Sequence, residues 1–360
     1  MSGIQGSKNP IVSIQKDTYE DLDINSLLKP LGGLKNYVNK DEKILLKTNL
    51  LNATTPERAV VTHPRLVESV AKEVLKLGAT PVIGDSPSGP FTKRRLRKVY
   101  NKSGMTKLSK ELGIELNYDT KNTKIEIPDG KKLKKSSICN FYLNADKIIS
   151  LPKLKTHYYM IMTLATKIMF GVVPGLVKAK YHSQFIRKKD FADMILDILS
   201  VSKPDLVIMD GIVAMQGEGP MSGTPVELGV LLASTNSVAL DLSVCRMLDI
   251  EPTGIYVLKQ AKIRKMWPKE INYPLLFPED VKYKDFILPS NAGYLLTGEK
   301  KPNKYPFMNE KCTACKDCVQ ICPKKAIKII EGQAKVDYSK CIQCYCCHEV
   351  CTYNAINLKR

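Results

Sequence analysis

The sequence near the end of the chain reads Cys312-Thr-Ala-Cys315-Lys-Asp-Cys318-Val-Gln-Ile-Cys322-Pro323, and it is followed by Cys341-Ile-Gln-Cys344-Tyr-Cys-Cys347-His-Glu-Val-Cys351. Both segments have the spacing C-x2-C-x2-C-x3-C. Three thiolates at this spacing form a tight loop around one face of an iron–sulfur cubane, and the fourth cysteine leaves on a helix. Zinc sites can also use four cysteines, but they do not need the x3 cysteine followed by proline. The repeated pattern therefore predicts two [4Fe-4S] clusters.

The ligand sets follow by analogy, because the pattern resembles that of two-cluster ferredoxins, in which the fourth cysteine of each run ligates the other cluster. Thr352 follows Cys351 where such runs usually have proline, which is a local preference at a helix start. Cys346 is an extra thiol, and we expect it to lie beside a cluster or to be free. The expected ligands are Cys312, Cys315, Cys318 and Cys351 for cluster 1, and Cys341, Cys344, Cys347 and Cys322 for cluster 2.

Composition and length restrict the class of protein. A chain of 360 residues with 44% hydrophobic content predicts two or three domains. Eight of the 11 cysteines belong to the repeated pattern, which indicates a reducing compartment rather than a disulfide scaffold. The polar first ten residues predict no signal peptide, and the longest apolar run, 158–173, is too short to span a bilayer. We expect a cytoplasmic protein without membrane insertion.

The formal net charge of +19 is concentrated in two basic runs, 93–98 and 131–135. Basic clusters attract nucleic acid, acidic proteins or anionic small molecules, although a solvated lysine-rich surface also explains them. Neither run lies near an RNA-recognition aromatic motif or a helix-turn-helix pattern. Nucleic acid is therefore a possible partner that the sequence does not favour.

Apolar patterns predict a mostly parallel sheet in the first part of the chain. Residues 43–47 read as a strand, and a helix with Thr62 as its expected N-cap follows until Gly78. Residues 80–84 read as the next strand, so the order is that of a βαβ unit. Further strands are expected at 146–151, 205–209 and 227–233.

These elements predict an α/β core with a mostly parallel sheet, possibly in two lobes, and a C-terminal ferredoxin-type α+β module. A proline-rich connection from Trp267 to Pro306 leads from one to the other. The expected domains are the α/β core at residues 1–300 and the two-cluster ferredoxin at residues 301–360.

Polar side chains follow several of the predicted strands. Asn49, Asp85 with Ser86, the segment 153–157, and Asp210 all come directly after apolar runs. In open parallel sheets ligands bind beyond the carboxyl ends of the strands. Loops are commonly polar for other reasons, but four such strand ends favour a ligand crevice at that edge.

The segment from Lys153 to His182 is the most unusual part of the core, because it combines ionisable side chains with an apolar stretch. Lys167 lies inside an apolar stretch, where a lysine must be ion-paired, lowered in pKa, or bound to an anion or cofactor. His157 and His182 flank the same stretch. Glu218 lies in a glycine-rich loop that lacks the helix needed for a dinucleotide fingerprint, and that loop is either an anion site or a tight turn.

Short motifs give the core a resemblance to a known family. They are His63-Pro64, Gly84-Asp85-Ser86-Pro87, Leu151-Pro-Lys-Leu-Lys-Thr-His157, Lys167, Gly171 with Pro174-Gly175, Asp210-Gly211, residues 217–220 and Ala239-Leu240-Asp241. They resemble the prokaryotic domain-of-unknown-function family three-six-two, which is often fused to a two-cluster ferredoxin. The resemblance covers about residues 40–250 and the cysteine-rich tail. Ile168 departs from the family, which usually has asparagine there.

A weaker resemblance links the same segment to the nickel-pincer lactate racemase. It implies that Lys167 anchors the nucleotide cofactor, that His182 ligates nickel and that His157 is an acid/base. The other catalytic histidine of that enzyme falls near Asp85 and Ser86 here. Racemisation needs no ferredoxin, so the resemblance implies the location of a site and not its reaction.

We therefore expect an iron–sulfur oxidoreductase that passes electrons from a low-potential donor protein through two clusters to an anionic substrate, or to an additional cofactor, in the core. His157, Lys167 and Asp210 are the expected catalytic residues. The expected substrate-binding residues are Lys153, Lys155, Asp85, Ser86, His182 and Glu218. Two alternatives remain open: a non-catalytic electron carrier or assembly partner, and a redox enzyme that acts on RNA.

Overall fold

The computed structural model describes residues 9–293 and 304–359. Its core strands are β1 Ser13–Lys16, β2 Lys43–Thr48, β3 Thr80–Gly84, β4 Glu115–Leu116, β5 Asn122–Glu126, β6 Lys135–Cys139, β7 Lys147–Leu151, β8 Lys153–His157, β9 Ile161–Thr163, β10 Leu206–Gln216 and β11 Thr224–Ser234. Its core helices are α1 Ile24–Leu28, α2 Pro64–Lys76, α3 Lys93–Lys102, α4 Met105–Leu112, α5 Asn140–Leu143, α6 Ala165–Ile168, α7 Gly175–Gln184, α8 Lys188–Val201, α9 Ser237–Met247 and α10 Tyr256–Ile263.

One main sheet forms the centre of the core, with the strand order β1-β11-β10-β7-β2-β3-β4. The pairs from β10 through β7, β2 and β3 to β4 are parallel, whereas β11 pairs antiparallel with both β10 and β1. β8 extends the sheet beside β10 and forms an antiparallel pair with β9. The expected mostly parallel α/β core is confirmed.

The two faces of the sheet bury separate apolar clusters. Ile44 and Leu46 of β2 pack with residues of α1 to α4, while Leu45 packs with residues of α8 to α10. This alternation is the period of two that a strand buried on both faces requires. Helices therefore cover both faces of the sheet. The place left for a ligand is beyond the carboxyl ends of the parallel strands.

The C-terminal module has the small strands and helices of a ferredoxin, as the cysteine spacing predicts. β12 pairs antiparallel with β15, and β13 pairs antiparallel with β14. The predicted domain boundary at residues 300 and 301 lies outside the described residues. The elements of the module are β12 Tyr305–Met308, α11 Asp317–Ile321, β13 Ile327–Ile330, β14 Gln333–Val336, α12 Cys346–Val350 and β15 Ile356–Lys359.

Three local expectations were wrong. Residues 153–157 form the strand β8 rather than a loop, because β10 and β9 both pair with it. Asp210 lies inside β10 rather than after it, since β10 continues as the partner of β11 until Gln216. His63, and not Thr62, caps α2, because Thr62 Oγ1 donates instead to Leu151 O, at 2.6 Å.

None of the helices within residues 9–293 and 304–359 has the length and apolar character needed to cross a membrane.

One buried carboxylate fastens the basic run at residues 131–135 to helix α8. Asp197 accepts hydrogen bonds from the amides of Lys131, Lys132 and Leu133 at 2.7–2.8 Å. Arg264 Nη1 also donates to Asp197, at 2.7 Å. The Asp197 side chain has no exposed surface, so all four donors depend on this one carboxylate.

Replacing Asp197 by alanine should lower the free energy of unfolding by about 3–5 kcal/mol, because Arg264 and three amides lose a buried partner. Asp249→Ala is the matched control, since the Asp249–Lys282 pair at 3.0 Å is exposed and should contribute less than about 1 kcal/mol. Denaturant unfolding followed by circular dichroism measures both. Equal losses in the two variants would contradict the role of Asp197.

Candidate functional site

A cavity lies between the core and the C-terminal module, and its empty space together with the solvent at its mouth is about 660 Å³. The module contributes Ile321, Cys346 and Glu349 to its wall. The core contributes strand ends, β8 and the segment from α6 to α7. Its polar lining residues from the core are Asn49, Asp85, Ser86, Ser88, Lys155, His157, Thr163, Lys167, Lys178 and His182.

The structure brings six of the nine predicted core residues into this cavity. They are Asp85, Ser86, Lys155, His157, Lys167 and His182. The other three lie elsewhere.

Lys153 and Asp210 belong to a separate buried network with Tyr19. Lys153 Nζ lies 3.0 Å from Asp210 Oδ2 and donates to the Tyr19 hydroxyl at 2.7 Å. Tyr19 in turn donates to Asp210 Oδ1 at 2.7 Å. Burial lowers the pKa of Lys153, and Asp210 opposes that shift. The network holds β8 against β10 and has no open side toward the cavity.

Glu218 lies in the turn between β10 and β11, where its Oε1 accepts a hydrogen bond from the Ser290 amide at 2.9 Å. Pro220 of the same turn lines the cavity, but Glu218 does not. The glycine-rich loop therefore reaches the cavity through Pro220, and the substrate-binding role of Glu218 stays a prediction.

Four lysines gather around the cavity and its edge. Lys47 pairs with Asp85 at 2.8 Å, Lys155 donates to Val60 O at 2.6 Å, and Lys178 donates to Ser86 O. No group in the described part of the chain accepts a hydrogen bond from Lys167. Burial lowers the pKa of Lys155 to about 7 and those of Lys167 and Lys178 to about 8. Such lysines bind anions and change charge near neutral pH.

Two histidines on the wall are neutral. Burial, reinforced by Lys167, lowers the pKa of His182 to about 3 and that of His157 well below its usual value. His157 Nδ1 accepts from the amides of Tyr159 and Met160, so its proton is on Nε2. That atom lies 3.3 Å from Glu349 Oε1, at an angle outside that of an aligned hydrogen bond.

Several buried polar atoms on the wall lack a partner in residues 9–293 and 304–359. They are Asn49 Oδ1, Ser86 Oγ, Thr163 Oγ1, His182 Nδ1 and Glu349 Oε1. Buried polar atoms in native proteins nearly always have hydrogen-bond partners. These atoms and Lys167 are groups that a polar ligand would satisfy.

Backbone contacts place the lysine-bearing segments. Asp241 accepts from the amides of Ala165 and Thr166 at 2.7 and 3.0 Å and so caps α6, which carries Lys167. A Cβ on Gly175 would lie 1.9 Å from Gly89 O, so only glycine permits α7 to start there.

The residues that the sequence did not single out are Lys47, Lys178 and Glu349, whereas Asp241 was noted only as part of a family motif. Lys47 ends an otherwise apolar strand, and Lys178 comes three residues after Gly175. The sequence therefore indicates a functional role for both lysines only weakly. Glu349 carries none, because its position in the cavity depends on how the module packs against the core.

The eight predicted cluster ligands surround two further cavities of about 350 and 360 Å³. The amides of Ala334, Ala326 and Ala355 approach cysteine sulfurs at 3.2–3.4 Å. The two sets are Cys312, Cys315, Cys318 and Cys351 in the first cavity, and Cys322, Cys341, Cys344 and Cys347 in the second.

The backbone of both loops repeats one unusual conformation. Ala314 and Lys316, on either side of Cys315, have φ of 51° and 66°, and Gln343 and Tyr345, beside Cys344, have φ of 54° and 62°. Left-handed residues turn successive amides toward an anionic group. Four thiolates and such amides fit an iron–sulfur cluster in each loop.

Cys346 lines both the second cluster cavity and the core cavity. It is buried, and a hydrogen bond joins it to Cys344. One side chain thus separates the predicted cluster 2 from the lysine-lined space.

Family models match both parts of the chain. Residues 44–246, more than half of the sequence, match the family described as Domain of unknown function (DUF362), and residues 305–352 match a 4Fe-4S dicluster domain. The chain belongs to the DUF362 family. The family and the ferredoxin module expected from the motifs are confirmed, and the dicluster domain supports an iron–sulfur electron-transfer role.

Relatives of this DUF362 protein differ in how much of it they cover. A thylakoid-associated protein of Synechocystis sp. is 34% identical over 275 residues, which are 74% of this chain and 82% of that protein. The pyruvate synthase subunit PorD of Methanocaldococcus jannaschii is 37% identical over 73 residues, which are 20% of this chain and 85% of that subunit.

The solved structure of the lactate racemase apoprotein from Thermoanaerobacterium thermosaccharolyticum has a TM-score of 0.40 and 14% identity to this chain. The match covers 68% of this chain and 58% of that one, so the DUF362 protein spans less than two thirds of its length. The nickel-related roles of Lys167 and His182 stay predictions.

Cys346→Ala should keep about eight iron atoms per chain, the content of two [4Fe-4S] clusters, because Cys346 is not a predicted ligand. Cys347→Ala is the comparison and should lose about half of that iron. Iron analysis on anaerobically purified protein measures both. A loss in Cys346→Ala as large as that in Cys347→Ala would make Cys346 the ligand.

Proposed function

We propose that this DUF362 protein is an iron–sulfur oxidoreductase that passes single electrons to a small anionic substrate in the cavity between its core and its ferredoxin module. The observation that carries the proposal is the position of Cys346 on the walls of both the lysine-lined cavity and the second cluster cavity. Electron transfer between two adjoining sites would need no large movement of the chain.

The cluster ligands in this proposal are the two crossed cysteine sets that surround the smaller cavities. When bound, the clusters would supply single-electron chemistry at potentials set by charge, hydrogen bonds and exposure. The cavity of cluster 1 shares no lining residue with the core cavity, whereas that of cluster 2 shares Cys346. Cluster 2 is therefore the inner one, beside the substrate.

Lysines select the charge of the substrate. Lys167 has no acceptor within the described residues, and Lys155 and Lys178 have only carbonyl acceptors. Glu349 and Asp85 offset part of the positive charge, and Asp85 is already paired with Lys47. Carboxylate, phosphate or sulfate groups would restore the balance and accept hydrogen bonds from the hydroxyls of Ser86 and Thr163.

His157 is placed to donate a hydrogen bond. Two backbone amides occupy Nδ1, so Nε2 carries the hydrogen and lies on the cavity wall, near Glu349. A substrate that gains an electron becomes a stronger hydrogen-bond acceptor, and the neutral Nε2–H would bind it more tightly. His182, with Nδ1 unpartnered, can accept a hydrogen bond from the same molecule.

Lys167→Met should slow reoxidation of the reduced protein at least tenfold, because the substrate loses its unpaired cation. The measurement is the return of cluster absorbance when anaerobically reduced protein is mixed with a panel of carboxylates, phosphate esters and oxyanions. Lys188→Met is the matched control: its pKa is also lowered to about 8, but Lys188 lies against Tyr159 and Tyr256 and not in the cavity.

An anion that reoxidises wild type, Lys167→Met and Lys188→Met at one rate would show that electrons leave the clusters by another route. A panel without any active anion, with both clusters reducible, would favour the non-catalytic carrier.

Anion affinity should fall as the pH rises, since Lys155 loses its charge near pH 7 and Lys167 near pH 8. Sulfate is a suitable probe because it stays a dianion from pH 6 to 9. Calorimetry should show binding weaken by up to about tenfold per pH unit above pH 8 for each lysine that must be protonated. Affinity that stays constant over this range would contradict lysine-based binding.

A further inference from the structure

The two basic runs of the chain differ in how their charge is used. In the second run Lys131, Lys132 and Lys135 pair with Asp193, Asp190 and Glu126 at 3.5, 3.1 and 2.7 Å. Most of its positive charge is therefore neutralised within the core. The first run forms helix α3, and its charge is not neutralised in this way.

Helix α3 exposes Lys93, Arg94, Arg97 and Lys98. None of these four pairs with a carboxylate anywhere in residues 9–293 or 304–359. The buried side of α3 is Leu96, Val99 and Tyr100, so its packing does not require the basic residues. An unpaired basic helix face raises the potential over a whole surface region.

Arg95 ties this helix to the loop that holds cluster 1. Arg95 Nη1 lies 3.4 Å from Asp317 Oδ2, and its Nη2 donates to Asn52 Oδ1 at 3.1 Å. Asp317 comes two residues after Cys315, which is exposed. Lys98 and Lys102 follow Arg95 by three and seven residues, so they lie on the same side of α3.

The loop itself adds no net charge. Its acidic residues, Glu310 and Asp317, are balanced by Lys311 and Lys316. The net positive charge that adjoins this loop therefore comes from α3, whose Arg95 contacts Asp317.

We propose that the α3 face formed by Arg94, Lys98 and Lys102 is the docking surface for an acidic electron-carrier protein, which seats its redox centre beside Cys315. The carrier gives up one electron and is oxidised, and the chain gains that electron at cluster 1 without proton transfer. The inference rests on the proposed function only for the direction of the electron, since docking itself needs no substrate in the cavity.

Charge on both surfaces explains why the partner is acidic. Opposite potentials steer association and raise the association rate, and they lose strength as salt is added. The cavity of cluster 1 shares no lining residue with the substrate cavity, so docking beside Cys315 and substrate binding use different groups.

The test compares two triple variants with the same change in charge. Arg94→Glu, Lys98→Glu and Lys102→Glu reverse the proposed surface, while Lys121→Glu, Lys124→Glu and Lys134→Glu reverse exposed lysines at or near the β5–β6 hairpin. The probe is an acidic plant-type [2Fe-2S] ferredoxin, and its Kd for each holoprotein is measured at several salt concentrations. Stopped-flow reduction by the reduced probe and by dithionite follows.

The α3 variant should bind the probe at least tenfold more weakly, with a shallower salt dependence, and should accept electrons from it more slowly. The hairpin variant should behave as wild type, and dithionite should reduce all three equally. Equal weakening in both variants, or none in the α3 variant, would overturn the proposal.

A 12-nucleotide single-stranded RNA gives the remaining comparison. Loss of RNA binding, but not of ferredoxin binding, in the α3 variant would assign the surface to nucleic acid and reject docking. Neither result changes the effect of Lys167→Met on reoxidation by anions. Failure of docking can therefore be distinguished from failure of the cavity reaction.

Discussion

The rest of the structure depends on how the charges of the lysines around one cavity are compensated. Removing a charge from water costs several kcal/mol unless a partner compensates it. Asp85 compensates Lys47, and carbonyl groups of Val60 and Ser86 receive Lys155 and Lys178. Glu349, from the module, supplies the remaining carboxylate on the wall. Lys167 has no hydrogen-bond acceptor among the described residues, and the proposed anion would compensate its charge together with Glu349.

The interface between the core and the C-terminal module serves the same charge compensation, because it positions Glu349. Asn52 donates to the carbonyl groups of Glu349 and Val350 at 3.3 and 2.8 Å, which holds α12 against the cavity. Arg58 Nη2 donates to Asn354 Oδ1, and Ser222 Oγ lies 3.1 Å from His348 Nε2. These polar contacts fix the distance between the cluster loops and the lysines. Shifting the module would expose Glu349 and separate Cys346 from the cavity.

The sequence predicts those features that depend on local spacing. The cysteine repeat anticipates how eight thiols gather in two cavities, and strand periodicity anticipates the parallel sheet. Of the six core residues that meet in the cavity, Asp85 and Ser86 follow the carboxyl end of a parallel strand, whereas Lys155 and His157 lie on β8 and Lys167 and His182 on helices. Lys153 and Asp210 do not join them, since Tyr19, more than 100 residues away in sequence, satisfies both. Glu349 and Cys346 could not be placed, because no periodicity encodes the packing of one module on another.

The central claim is that an anion in the cavity lies beside cluster 2. Fluorophosphate bound to the reduced protein offers a direct measurement, since electron–nuclear double resonance detects fluorine near a paramagnetic cluster. We expect a resolved fluorine coupling in wild type and in Lys188→Met, and its loss in Lys167→Met. Calorimetric binding without any fluorine coupling in wild type would contradict the claim and separate the anion site from the electron path.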